Sequence, residues 1–268
     1  MRKRIKTVIS LLLVSVSVVS MLTGCKSKNN GDAANAQAGK VKLWDAYNTE
    51  NLMKDVEYPE LMDTRDSTLR MHCVKNDVET AQLMITPSIN ITAFDFRMND
   101  LKNAAGDVLK AESFNVYIPW YVEVLESYIQ DAYSGYYPDA LIPLENYKKR
   151  HENFISAGQN QAIWLEANIP EGQPAGFYTG FGELEMDGVS YQITVEITVY
   201  DAALPNANNV PTLFGVWYDY IPNGEGTYST ELANAYYDFL LSKRISPMKA
   251  DPTRWALGTE YEAYVEWL

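Results

Sequence analysis

The sequence predicts a mainly β chain: an antiparallel β-sandwich followed by the first βα units of an incomplete (β/α) barrel. Three observations carry that expectation. Apolar and polar residues alternate with period two in several short segments, glycine and proline turn signals separate those segments, and beyond Pro205 the pattern changes to a continuous apolar run followed by helical spacing.

The alternation is plainest over residues 191–199, where Ile193, Val195, Ile197 and Val199 share one face of a half-buried strand. Residues 162–169 repeat it with Ile163, Leu165, Ala167 and Ile169 on one face, and 94–98 do so more briefly. Asp187-Gly188 sets a turn before the first of these, while Pro170-Glu171-Gly172 and Pro174-Ala175-Gly176 follow the second. Short alternating strands without a long helical pattern among them predict a sandwich over 41–205.

Residues 206–211 read as a polar linker. The apolar run 212–218 is the kind expected of a strand buried on both faces. Ser229 or Thr230 then caps a helix whose apolar positions Leu232, Tyr236, Phe239 and Leu240 fall at helical spacing, and Lys243 and Arg244 suit its negative C-terminal end. Residues 244–248 offer a second short strand, and 261–268 open another helix. This β-α-β-α rhythm implies parallel strands. A complete eightfold barrel takes about 200 residues or more, and 58 follow Val210, so the expectation for 206–268 is a truncated barrel start.

The first 24 residues have a basic beginning (Arg2, Lys3, Arg4, Lys6) and an apolar run too short and too broken by serines for a comfortable transmembrane helix. They end Leu22-Thr23-Gly24-Cys25, which resembles the bacterial lipobox. That resemblance implies cleavage before Cys25, a lipid on its thiol, and a place in the bacterial cell envelope, on the outer face of the cytoplasmic membrane or at the cell surface. Residues 25–40, rich in Asn, Ala, Gly and Lys, read as a flexible tether.

The formal charge is −13. Removing the four leader cations leaves 18 basic against 35 acidic residues, or −17, which repels phosphate backbones and argues against a nucleic-acid partner. Nineteen Tyr, 8 Phe and 6 Trp suit either strand cores or surfaces that stack on neutral sugars. Cys73 adjoins His72, yet zinc needs three or four ligands and His151 is the only other histidine, so Cys73 reads as a buried structural residue and no metal is implied. Phosphate-binding glycine loops and a serine nucleophile elbow are missing from the sequence, so no cofactor is implied either.

Four phrases carry a family resemblance: Glu79-Thr80-Ala81-Gln82-Leu83; Tyr136-Tyr137-Pro138-Asp139-Ala140-Leu141-Ile142-Pro143; Asn160-Gln161-Ala162-Ile163-Trp164-Leu165; and Ile169-Pro170-Glu171 leading to Ala175-Gly176-Phe177-Tyr178-Thr179-Gly180. Together they resemble the N-terminal sandwich region of the glycoside hydrolase family 123 type, bacterial β-N-acetylgalactosaminidases and their relatives. The residues themselves read as structural: Pro138 and Pro143 fix the backbone around Asp139, and Gly176 and Gly180 permit tight turns. The resemblance implies substrate-assisted hydrolysis, in which the sugar's 2-acetamido oxygen attacks C1, one carboxylate orients the acetamido group and a neighbouring glutamic acid protonates the leaving oxygen. No Asp-Glu dipeptide occurs in the sequence, so no catalytic residue is assigned and the chain alone is expected to be inactive.

Sugar contacts, if this chain supplies them, belong where barrel strands end: Trp217, Tyr218 and Asp219 after the first strand, and Asp251, Arg254 and Trp255 after the second. Glu123 and Glu126 read as solvated beside Tyr121 and Tyr128, and Glu183, Glu185 and Asp187 as the wet face of one strand. A competing reading is a non-catalytic glycan-binding lipoprotein, with sugar held by exposed aromatics such as Tyr133, Tyr136 or Tyr137. A solute-binding lipoprotein shares the leader, but such proteins usually begin with βα units, whereas this chain begins with alternating strands.

Overall fold

The computed structural model describes residues 39–126, 132–206, 214–216, 224–227 and 229–249. Two sheets face each other across one core. Sheet 1 has the order β1-β3-β9-β7-β8, from β1 (Val41–Ala46), β3 (Val78–Pro87), β9 (Gln161–Asn168), β7 (Phe114–Val124) and β8 (Gly135–Pro143). Sheet 2 has the order β2-β11-β10-β5-β6, from β2 (Leu69–Lys75), β11 (Val189–Ala203), β10 (Gly176–Met186), β5 (Leu101–Lys102) and β6 (Val108–Leu109), and β4 (Phe94–Met98) also pairs with β10.

The inward residues of these strands alternate with outward polar ones. Leu69, Met71 and Cys73 of β2, Leu83 and Ile85 of β3, Ile163 and Leu165 of β9, and Ile193, Val195 and Ile197 of β11 fill the space between the sheets. Tyr178 is fully buried there, and its hydroxyl donates to the Pro174 carbonyl at 2.7 Å, so its polar end is satisfied. The Asp187-Gly188 turn forms as expected, with φ of 49° and 80°, the left-handed pair that a two-residue hairpin requires.

Several expectations are corrected. Sheet 2 is mixed, because β2 runs parallel to β11 with Leu69 opposite Val195. The turn at Asn76-Asp77 carries the chain from sheet 2 to sheet 1 instead of closing a hairpin, and side-chain alternation is blind to strand direction. Gly180 and Gly176 lie in β10, not in turns. Gly180 is small because Leu101 packs on it: a Cβ there would stand 2.6 Å from Leu101 Cδ2. Pro138 and Pro143 sit in β8, an edge strand, where a missing ladder N–H is tolerated.

Strand β9 is buried on both faces. Ile163, Leu165 and Ala167 point inward, while Ala162 joins Met84 and Trp44 in a row across β9, β3 and β1 on the outer side. That row is roofed by Leu52, Tyr58, Leu61 and Met62 from the segment 47–66, which includes the short helix α1 (Pro59–Thr64), entered through a proline at its first turn. The segment is held by a two-pronged ion pair, Arg65 Nη1 to Glu50 Oε2 at 2.5 Å and Nη2 to Oε1 at 2.8 Å. A second short helix, α2 (Leu144–Lys149), follows β8 and packs Leu144 and Tyr147 into the main core.

After the sandwich, β12 (Phe214–Val216) and β13 (Pro247–Lys249) pair in parallel, with α3 (Thr230–Ser242) between them in sequence. The Ser229 side chain accepts the Leu232 amide at 3.1 Å and caps α3 as expected. Its buried face is Ala233 and Tyr237, one position on from the predicted set: Tyr236 and Phe239 are 37% and 61% exposed. The strand expected at 244–248 lies at 247–249, and Arg244 instead takes a turn conformation at φ 57°. The leader with Cys25, the tether to residue 38 and the expected helix at 261–268 lie outside the described residues.

Candidate functional site

Trp217, Tyr218, Asp219, Asp251, Arg254 and Trp255 all lie outside the described residues. What the structure does assemble is two polar constellations on the outer side of sheet 1.

The first begins with Asn160, the opening residue of one of the four phrases above and almost wholly buried. Its side-chain amide donates to the Met53 and Val56 carbonyls at 2.9 and 2.7 Å, and its oxygen accepts from Thr86 Oγ1 at 2.7 Å. Its backbone amide donates to the Lys54 carbonyl at 2.7 Å, while the Lys54 amide donates to the Tyr136 carbonyl at 3.1 Å. Lys54 and Asp55 are thereby pinned between β9 and β8. A buried side chain with every hydrogen-bonding group engaged holds its neighbours rigidly.

Around this pinned dipeptide stand four tyrosines. The Lys54 ammonium lies 5.8 Å from the Tyr121 ring centroid and 5.7 Å from that of Tyr136, within cation–π range. The Tyr133 hydroxyl donates to Asp55 Oδ1, which also receives the Tyr136 amide at 3.5 Å. Tyr137 tilts against Tyr133 at 5.7 Å between centroids and donates its hydroxyl to the Tyr133 carbonyl at 2.6 Å. Gly135 lets the Tyr133 ring fold back, since a Cβ there would collide with that ring.

The electrostatics follow from these contacts. The hydrogen bond to Asp55 pushes the Tyr133 phenol up to about 12, and Glu123, across the β7–β8 ladder, raises Tyr136. Burial raises the Tyr121 phenol further. The Ala162 amide opposes that rise, and among the described residues the buried hydroxyl has no hydrogen-bond partner. Glu123 and Glu126 are exposed, as expected, and Tyr128 lies outside the described residues. An open hollow of about 340 Å³, lined by Glu57, Tyr58, Pro59, Glu60 and Leu61, adjoins the same segment.

The second constellation ties α3 to the sandwich. Glu166 of β9 accepts from Asn115 Nδ2 at 3.0 Å and pairs with Lys243 Nζ at 3.1 Å. Burial alone would raise this carboxyl, but the bonds from Asn115, Lys243 and Asn168 outweigh it and hold it below its ordinary value. Arg244 Nη2 donates to the Asn76 carbonyl at 2.6 Å. The two cations expected to complement the helix end therefore reach past it to the sandwich.

Elsewhere, Cys73 is buried as expected, its thiol pushed up to about 12 by desolvation. His72 points to the opposite face, 3.2 Å from the Tyr200 hydroxyl. Among the described residues no group of three or more His, Cys, Asp or Glu is arranged to hold a metal ion. Glu183 and Glu185 line the outer face of β10, but Asp187 does more than face water: its carboxylate receives the Thr92 and Ala93 amides, both at 3.0 Å.

The described residues thus form a two-sheet sandwich followed by a parallel pair of short strands with one helix between them in sequence. The family model for the glycoside hydrolase 123 N-terminal domain matches residues 48–186, more than half of the chain, and the chain belongs to that family. A solved family 123 glycoside hydrolase from Clostridium perfringens, described for glycolipid glycan hydrolysis, superposes with a TM-score of 0.61 at 15% identity. The match covers 76% of this chain and 36% of that enzyme, so the chain spans about a third of its length. The CooA pilin subunit of enterotoxigenic Escherichia coli (TM-score 0.30, 13% identity, 61% of this chain and 99% of that one) and the Salmonella SafD adhesin (0.29, 10%, 61% and 99%) are similar only at a level that carries no argument. No curated protein sequence matches the chain.

Proposed function

We propose that the chain is the N-terminal portion of a surface-anchored glycoside hydrolase acting on 2-acetamido sugars. The observation that carries this reading is the family match over the sandwich, joined to a parallel β-α-β unit directly after it. In this reading Cys25 bears the lipid, residues 25–40 are the tether, and 206–268 begin a catalytic barrel whose strand ends place Trp217, Tyr218, Asp219, Asp251, Arg254 and Trp255 toward the sugar. The Glu166–Lys243 and Arg244–Asn76 contacts fix the first helix of that unit to the sandwich. The sandwich then serves as the base against which the barrel is oriented.

The chemistry follows the substrate-assisted route, with the acetamido oxygen as nucleophile and an Asp-Glu pair as its orienting base and acid. This sequence contains no such pair, so the pair is supplied by polypeptide beyond it. The test is to read the uninterrupted frame past the Leu268 codon, express its product and assay release of nitrophenol from nitrophenyl 2-acetamido-2-deoxy-β-galactoside. Hydrolysis that vanishes when a downstream Asp-Glu pair is changed supports the reading; a product without such a pair, or without hydrolysis, ends it. Mass spectrometry of the membrane fraction, with Cys25→Ala as control, tests the anchor separately.

A further inference from the structure

The tyrosine-lined end of sheet 1 has features that packing alone leaves unexplained. Lys54 has no carboxylate within ion-pair distance among the described residues, although the chain is strongly acidic. Its ammonium lies over two rings, on a backbone that Asn160 fixes on both sides of Lys54. Among the described residues Asp55 uses only Oδ1, toward Tyr133 and Tyr136, and Oδ2 is an open acceptor. Tyr133, Tyr136 and Tyr137 are each only half-buried, and the hollow lined by Tyr58, Glu57 and Glu60 lies next along the same segment.

We propose that Lys54, Asp55, Tyr133, Tyr136 and Tyr137 form a second, non-catalytic binding site for a neutral pyranose on the sandwich itself. A pyranose presents an apolar C–H face that stacks on a tyrosine ring and a rim of hydroxyls that both donate and accept. Lys54 supplies donors and Asp55 Oδ2 an acceptor about the same set of rings. The carboxylates Asp55, Glu57, Glu60 and Glu123 outnumber the single ammonium, which turns away sulfated and uronic sugars. Rigid backbone support reduces the ordering that binding requires. The site rests on the proposed function only in its choice of ligand class, and it would hold glycan near the enzyme independently of the barrel.

The test uses the full chain with methyl β-glycosides of galactose, N-acetylgalactosamine and N-acetylglucosamine, titrated by calorimetry and by ligand-observed NMR. Tyr136→Ala and Lys54→Met are each expected to weaken binding about tenfold or more, with unchanged thermal midpoints. Phe177→Ala, which removes a half-exposed ring on the outer face of sheet 2, is expected to leave binding as it is. Binding of any of the three glycosides that both site variants weaken supports the site. Binding of the galactoside alone also supports the site, since the site is proposed for a neutral pyranose. No saturable binding at millimolar sugar, or binding that survives both variants, overturns the site and leaves the hydrolase reading to its own assay.

Discussion

The two sheets share one core, but their outer faces are used differently. On sheet 2 the outer face is open to water and carries separate ion pairs, Arg70 with Glu196 at 3.3 Å and Arg97 with Glu183 at 2.9 Å. On sheet 1 the outer face is roofed by residues 47–66, threaded by the buried Asn160, and gripped by Lys243 through Glu166. An exposed pair exchanges one solvation for another, whereas a buried polar group with several partners loses all of them together. Sheet 1 is therefore where a single side chain decides how other elements sit.

The sharpest break in this comparison is Trp44→Ala. It empties a fully buried site under the roof and is expected to lower stability by about 3–5 kcal/mol in urea unfolding. Asn160→Ala is next, at about 2–3 kcal/mol, because it frees the carbonyls of Met53 and Val56 and the Thr86 hydroxyl at once. Hydrogen exchange should show the loss concentrated in residues 50–58. Glu166→Gln keeps the shape but removes the charge facing Lys243; the partly open lysine is screened, so about 1 kcal/mol is expected, seen as faster exchange in α3 with sheet 2 unchanged.

Two carboxyls on the sheet 1 side also make stability depend on acid. Glu50 is held below 4.5 by the Arg65 hydrogen bonds and Glu166 by those described above, each against the opposing effect of burial. Carboxyls lowered on folding give a contribution that is complete above their unfolded values and is lost as pH falls through the folded ones. Stability should decline below about pH 4.5, and Glu50→Gln with Glu166→Gln should flatten that decline. The smallest effect belongs to sheet 2: Arg97→Ala is expected to stay within about 0.5 kcal/mol of the parent, and a larger loss would show that its outer face is also covered.

Legibility in the sequence followed the same division. Strand β11 was readable because one face is wet, so Ile193, Val195 and Ile197 alternate with polar neighbours; β9 showed only its inward half, since Ala162 and Glu166 are covered for reasons that lie far away in the chain. Tyr236 and Phe239 misled the helix face because apolar character reports what a side chain prefers, not what the fold places against it. Lys54 and Asp55 gave no signal at all: their partners at 133–137 lie some eighty residues on, and no local period links them. The tyrosines were visible as rings, but their arrangement about a lysine was not.

The parallel pairing of β2 with β11 has a consequence for how the domain is made. Leu69 waits for Val195, more than a hundred residues later, before sheet 2 gains that edge, and contacts so distant in sequence belong to slowly folding topologies. Until β11 emerges, both β2 and β10 lack a neighbour and offer bare backbone to other chains. A nascent product whose β11 has not yet emerged is therefore a different material from one in which β11 is out and paired: the first is an open template for aggregation, the second a sandwich whose strands are all present.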